Sequence, residues 1–257
     1  MTADRRESVV FFDMDQTLLD GPFPSQVFPR VLGEIAQKSG QEYDALLQWA
    51  RQENHKRQSD PAFSAVQAMD WDDICIQLAG DLGVELQTSA LEVLQAHCGP
   101  PYSVLHEGAR EALEQLAAGR PRRALVLTTK GLRKYQLPIL EALGLLPFFD
   151  DIITPDSGLA LKQSIRFYGR WPQVTRLQIM VGDTYEDDVI PAHRFGFKTV
   201  LRSSPAEDYA WEADPFVRAH GRQDGHRGWA VRPDAIIISL SELPRVINRL
   251  EYEALSA

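Results

Sequence analysis

Cysteine is nearly absent: Cys75 and Cys98 are the only two among 257 residues, with no CxxC spacing and no nearby histidine pattern. That excludes a disulfide framework and a cysteine-based zinc site, and both thiols are expected to pack as small apolar groups. Positive charge is also scarce. Lys and Arg total 27 against 36 Asp and Glu, a net charge of -9, which argues against nucleic acid and an anionic membrane surface as partners. No apolar run approaches the length of a membrane span. The first run, Val9 to Phe12, follows the polar stretch MTADRRES and is too short for a signal-peptide core, so the expected location is cytoplasmic. Internal repeats and low-complexity tracts are missing as well.

What remains is a globular composition, 44% hydrophobic and 25% charged, sufficient for one large domain or for a core with a smaller insert. Apolar, β-branched runs predict strands at Val9 to Phe12, Ala124 to Leu127, Asp151 to Thr154, Leu177 to Val181, Thr199 to Leu201 and Ala235 to Ile238. They are near-continuously apolar, as strands covered on both faces are. Helical stripes separate them: Ala109, Leu113 and Leu116 before Gly119, then Leu137, Leu140 and Leu143 before Gly144. The alternation predicts a doubly wound, Rossmann-like α/β domain with a parallel sheet and a site at the carboxyl ends of the strands.

Residues 21 to 104 break that alternation. Val27, Val31 and Ile35 recur before Gly40, and Ile74, Leu78 and Leu82 before Gly83, a helical period with no convincing strand. The expectation is an α-helical domain at 21–104 inserted into a core of 1–20 and 105–257, with Pro22, Pro24, Pro100 and Pro101 stiffening the two linkers.

The first strand runs into FFDMDQT, which places Asp13 and Asp15 on one side of the chain, with Thr17 two residues on. Like charges this close repel unless a cation or proton intervenes. Mg2+ is the natural candidate, because it prefers carboxylate oxygens and leaves room for water and phosphate; the plainer reading is two acids capping a turn. A second acidic group, GDTYEDD, follows the strand Leu177 to Val181 and supplies Asp183, Asp187 and Asp188. It reads as a solvated turn or as the partner of the first group, since both would open on one sheet edge. Two further strand ends add polar groups. Thr128 ends ALVLTT, with Thr129 beside it, and Lys162 lies in SGLALKQS. A hydroxyl and an ammonium are suited to hold phosphoryl oxygens while a carboxylate attacks.

In this order, DMDQT, LVLTT, a lysine and GDTYEDD resemble the four motifs of the haloacid dehalogenase superfamily, specifically its phosphoglycolate-phosphatase-like members with a helical cap inserted after the first motif. The likeness extends to TTKGLRKYQLPILEALGLLPFFDDIITPD and GDTYEDDVIPAHRFGFKTV. It implies a hydrolase, a phosphatase in which Asp13 attacks phosphorus and ligates Mg2+. Asp15 would ligate the metal through its carbonyl and transfer protons, Thr128, Thr129 and Lys162 would bind phosphate, and Asp183 and Asp187 would complete the metal site. Asp188 is the less expected ligand and Lys130 the alternative to Lys162. The substrate implied is a small phosphorylated molecule. Asp15 favours phosphate-ester chemistry, because an acid there can protonate the leaving alkoxide. A sugar phosphomutase of the same superfamily and a catalytically silent phosphoaspartate-type regulatory or binding protein are the alternatives.

Two basic segments stay open. Ser203 to Pro233, with Trp211, Arg218, His220, Arg222, His226, Arg227 and Trp229, reads as a surface excursion or as a lid over an anionic substrate. Trp49, His55, Lys56 and Arg57 read as a charged helix face or as phosphate-side groups.

Overall fold

The computed structural model describes residues 6–118, 123–203, 213–220 and 231–256. Among the described residues eight strands form two sheets: β1 (Ser8–Phe12), β2 (Leu19–Asp20), β3 (Val104–Leu105), β4 (Arg123–Thr128), β5 (Asp151–Ile153), β6 (Leu177–Gly182), β7 (Lys198–Arg202) and β8 (Ala235–Ile237). The main sheet has the order β5-β4-β1-β6-β7-β8 and every pairing in it is parallel. Strand alternation covers both faces. Val10, Phe12, Leu125, Leu127, Ile179 and Val181 join one apolar cluster, while Val9, Phe11, Ala124, Val126 and Met180 join another. This is the doubly wound α/β architecture that the apolar runs predict.

The chain lays β4 and β5 to one side of β1, then crosses back to place β6, β7 and β8 on the other. The reversal puts a crevice beyond the carboxyl ends of β1 and β6, where ligands bind in such sheets.

Between β2 and β3 lie α1 (Phe28–Ser39), α2 (Tyr43–Ser59), α3 (Ala65–Ala68), α4 (Trp71–Asp81) and α5 (Ala90–Gln95). Gly40 closes α1 in the left-handed conformation, φ 74°, a geometry costly for any residue with a Cβ. Beyond β3 come α6 (Ala109–Ala117), α7 (Arg133–Ala142), α8 (Pro155–Gly158), α9 (Trp171–Val174), α10 (Ile190–Arg194), α11 (Pro215–His220) and α12 (Leu243–Leu255). None of the described helices is long and apolar enough to cross a membrane.

The sequence reading missed the ribbon of β2 and β3. Leu19 pairs with Leu105 and Asp20 with Val104, antiparallel, so the insert leaves and rejoins the core through two adjacent strands. Two residues per strand are too few for a periodic signal.

Two basic groups prove structural. Arg57 is buried, with its Nε 3.0 Å from Glu53 Oε1 and one terminal nitrogen 2.6 Å from Asp73 Oδ2; it ties α2 to α4 and is not part of a solvated charged face, whereas Lys56 is exposed. Arg218 is likewise buried on α11 and donates to Glu242 at 2.9 Å and to the Ile236 carbonyl. It anchors the helix and is not offered to a substrate. Trp211, Arg222, His226, Arg227 and Trp229 lie outside the described residues, as does Gly119, expected to close α6.

Arg123 on β4 holds the last helix to the sheet. It bonds both carboxylate oxygens of Glu251, with Nε 2.7 Å from Oε1, and reaches Asn248 Oδ1 at 2.7 Å and the Leu116 carbonyl at 3.2 Å. Breaking one side of a buried pair strands the other charge. Arg123→Met is therefore expected to lower unfolding free energy by about 3 kcal/mol, read from urea denaturation; a loss below about 0.5 kcal/mol would make the pair incidental.

Candidate active site

β1 ends at Phe12, and the next amide still pairs with the sheet: Asp13 N lies 2.8 Å from the Val181 carbonyl of β6. That bond fixes where the Asp13 side chain leaves the strand. β6 ends at Gly182, which delivers Asp183 beside it. One oxygen each of Asp13, Asp183 and Asp188 lies within 4.8 Å of the others. Thr17 Oγ1 stands 3.1 Å from Asp13 Oδ2 and 3.2 Å from Asp183 Oδ1, with one proton to share between them.

Lys162 is the counter-charge. Its ammonium is buried, 2.5 Å from Asp13 Oδ1 and 2.7 Å from Asp188 Oδ1. Burial alone would pull its pKa down, but the two carboxylates outweigh burial and hold it above that of an ordinary lysine. Lys130, the alternative lysine, points elsewhere and pairs with Asp187 at 2.6 Å and with Gln58 on α2.

Asp187, expected in the metal set, is not in the cluster; Asp188 is. A single π-helical turn, Tyr185–Val189, follows the acidic strand, and its phase sends Asp187 outward to Lys130 and to Gln163 Nε2 at 2.6 Å. Asp188 turns inward and is buried. Its Oδ2 accepts from the Thr184 amide at 3.0 Å. Glycine permits this: a Cβ on Gly182 would lie 2.2 Å from Asp188 Cγ.

Asp15 stands on the loop beyond Asp13. Gln136 Nε2 donates to its Oδ2 at 3.1 Å, and a Cβ on Gly21 would come within 2.7 Å of its Oδ1. The next residue, Gln16, takes a left-handed φ of 62°, and the Arg202 guanidinium at the end of β7 donates to its carbonyl. Burial, then the Asp13 charge, push the Asp15 carboxyl up to about 7, against the opposing Gln136 bond. Burial, then Asp13, also raise Asp183, to about 6. Asp188 is raised too, chiefly by burial, although its bond to Lys162 acts the other way. All three shifts come first from burial, and a neighbouring carboxylate adds to each.

The two threonines are less available than expected. Thr128 is buried, with its hydroxyl donating to the Phe12 carbonyl at 3.2 Å. Thr129 Oγ1 accepts from the Gly131 amide at 3.1 Å. Thr17 is the threonine whose hydroxyl bridges two of the clustered carboxylates.

A cleft of about 800 Å³ adjoins the carboxylates, walled by His55, Gln58 and Phe63 from the insert and by Lys130, Gln163 and Asp187 from the core. Neighbours in sequence divide between the two spaces: Gln163 and Asp187 face the cleft, whereas Lys162 and Asp188 face the carboxylates.

Three carboxylates contributing hard oxygen donors suit Mg2+. A cation bound only by the folded state stabilises it, by about 2.7 kcal/mol at one hundred times the dissociation constant. Magnesium is expected to raise the thermal midpoint of the wild type and of Asp187→Asn, and to do so weakly for Asp188→Asn. The reverse order would return Asp187 to the site.

No family model matches the sequence, and no curated protein matches it. Solved structures do. A HAD phosphatase from Thermococcus onnurineus is 23% identical, with 93% of this chain and 97% of that one covered, at a TM-score of 0.65. The HAD-hydrolase YfnB of Bacillus subtilis, bound to magnesium, is 18% identical over 95% and 99%, also at 0.65. L-2-haloacid dehalogenase from Xanthobacter autotrophicus is 19% identical over 95% and 98%, at 0.58. The chain therefore has, over nearly its whole length, the fold of the haloacid dehalogenase-type hydrolases.

Proposed function

We propose that this protein belongs to that superfamily by descent as well as fold, and is a magnesium-dependent phosphatase of a small phosphorylated molecule. The observation that carries the reading is the convergence of Asp13, Asp183 and Asp188, two of them bonded to one ammonium, with Asp15 beside them. Dehalogenation needs no such surplus of carboxylate. Transfer of a phosphoryl dianion does, because the surplus recruits a divalent cation.

When bound, Mg2+ supplies charge neutralisation to the phosphoryl oxygens, and Asp13, Asp183 and Asp188 would hold it. The Asp13 carboxylate, oriented by Thr17 and Lys162, attacks phosphorus. An acyl-phosphate O–P bond forms as the ester O–P bond breaks, and Asp15 gives its proton to the departing alkoxide. Water then attacks the same phosphorus and yields a proton to Asp15, and the bond to Asp13 breaks to release inorganic phosphate. Lys162 sits where it can meet phosphoryl oxygens once Asp13 is esterified. The helical insert serves as a cap over this chemistry, and its cleft wall of His55, Gln58 and Phe63 receives the rest of the substrate.

With p-nitrophenyl phosphate and Mg2+, the wild type is expected to turn over and Asp13→Asn to be inactive. Asp15→Asn is expected to lose at least about a hundredfold in kcat, through loss of the base that activates water against the phosphoaspartate, and 2-chloropropionate to yield no chloride. An active Asp13→Asn enzyme, or halide release, would overturn the reading.

A further inference from the structure

Gln136 is a costly residue to bury. It lies on the first turn of α7 at 3% exposure, where leucine or methionine would fill the space without a polar group. Its Oε1 is buried and finds no hydrogen-bond partner among the described residues, a condition native structures avoid. The side chain makes one polar contact, from Nε2 to Asp15 Oδ2 at 3.1 Å. For Asp15 that is in turn the single side-chain hydrogen bond among the described residues, whereas Asp13 has two such donors, Thr17 and Lys162.

The surroundings leave room for Gln136 in that pose. A Cβ on Gly131 would lie 1.8 Å from its Nε2 and 2.6 Å from its Cδ, so the preceding loop is shaped around the amide. The two residues before it fasten the helix to the insert: Lys134 Nζ reaches Asp70 at 2.8 Å and Asp72 at 3.1 Å, and the Tyr135 hydroxyl lies 2.7 Å from Asp70 Oδ1. A short polar arm thus leaves a fastened helix and meets one carboxyl group.

We propose that Gln136 is a positioning residue for Asp15, fixing its carboxyl group in the orientation from which it reaches the leaving-group oxygen; this rests on the phosphatase reading above. The role shows in kcat/KM through the acid step, because attack by water follows the ester cleavage that kcat/KM reports. Leaving groups that depart as stable anions need little protonation, and more basic ones need it most. Loss of the amide therefore acts selectively, in a way that general loosening of the fold does not.

The test compares kcat/KM, which reports the steps through ester cleavage, for phenyl phosphate and p-nitrophenyl phosphate in the wild type and Gln136→Met. The expected result is a fall of about tenfold for phenyl phosphate and less than about threefold for p-nitrophenyl phosphate, with a thermal midpoint near that of the wild type. Gly131→Ala, which pushes on the amide without removing it, is expected to show the same selectivity and carries the test if Gln136→Met does not fold. Equal losses for the two esters, or none, in a folded variant overturn the positioning role while leaving the phosphatase reading intact. A wild type inert toward both esters overturns that reading and the role together.

Discussion

Four carboxyl groups, those of Asp13, Asp15, Asp183 and Asp188, share one buried ammonium at the end of a parallel sheet, and the surrounding structure answers that imbalance. Lys162 is driven fully inside and kept charged by Asp13 and Asp188, although burial opposes it. The remaining carboxyls are pushed upward by burial and by one another. A divalent cation works in the opposite direction and relieves the same repulsion. Gly21, Gly131 and Gly182 each leave room for a site side chain or its support within 3 Å of where a Cβ would stand.

The sheet makes the imbalance possible. Like charges are brought together by backbone pairing that is indifferent to them: β1 and β6 are adjacent and in register, Phe12 beside Val181, so the residues that follow must emerge side by side. The apolar clusters on both faces stabilise that register, and the site draws on that stability for its own strain.

Much of this was legible in the sequence, because apolar runs followed by acids mark strand ends and strand ends of one sheet converge. The six main strands, the run of helices between β2 and β3, and the approach of DMDQT to GDTYEDD needed nothing finer. What was illegible turned on phase and burial. Asp187 and Asp188 are adjacent, and a single π-helical turn, which no spacing rule anticipates, decides which of them faces inward. Gln136 gave no signal, since a glutamine on a helix is ordinarily solvated. Arg57 looked like surface charge although Glu53 lies one turn away, because Asp73, the acid that ties it to another helix, is distant in sequence, as Glu242 is for Arg218.

Covalent attack by Asp13 is tested most directly by mass spectrometry of the enzyme after acid quench during turnover of an aryl phosphate with Mg2+. The account predicts one phosphoryl group on the peptide that contains Asp13, absent from Asp13→Asn. Burst-phase turnover with no adduct, or an adduct on another peptide, would contradict it.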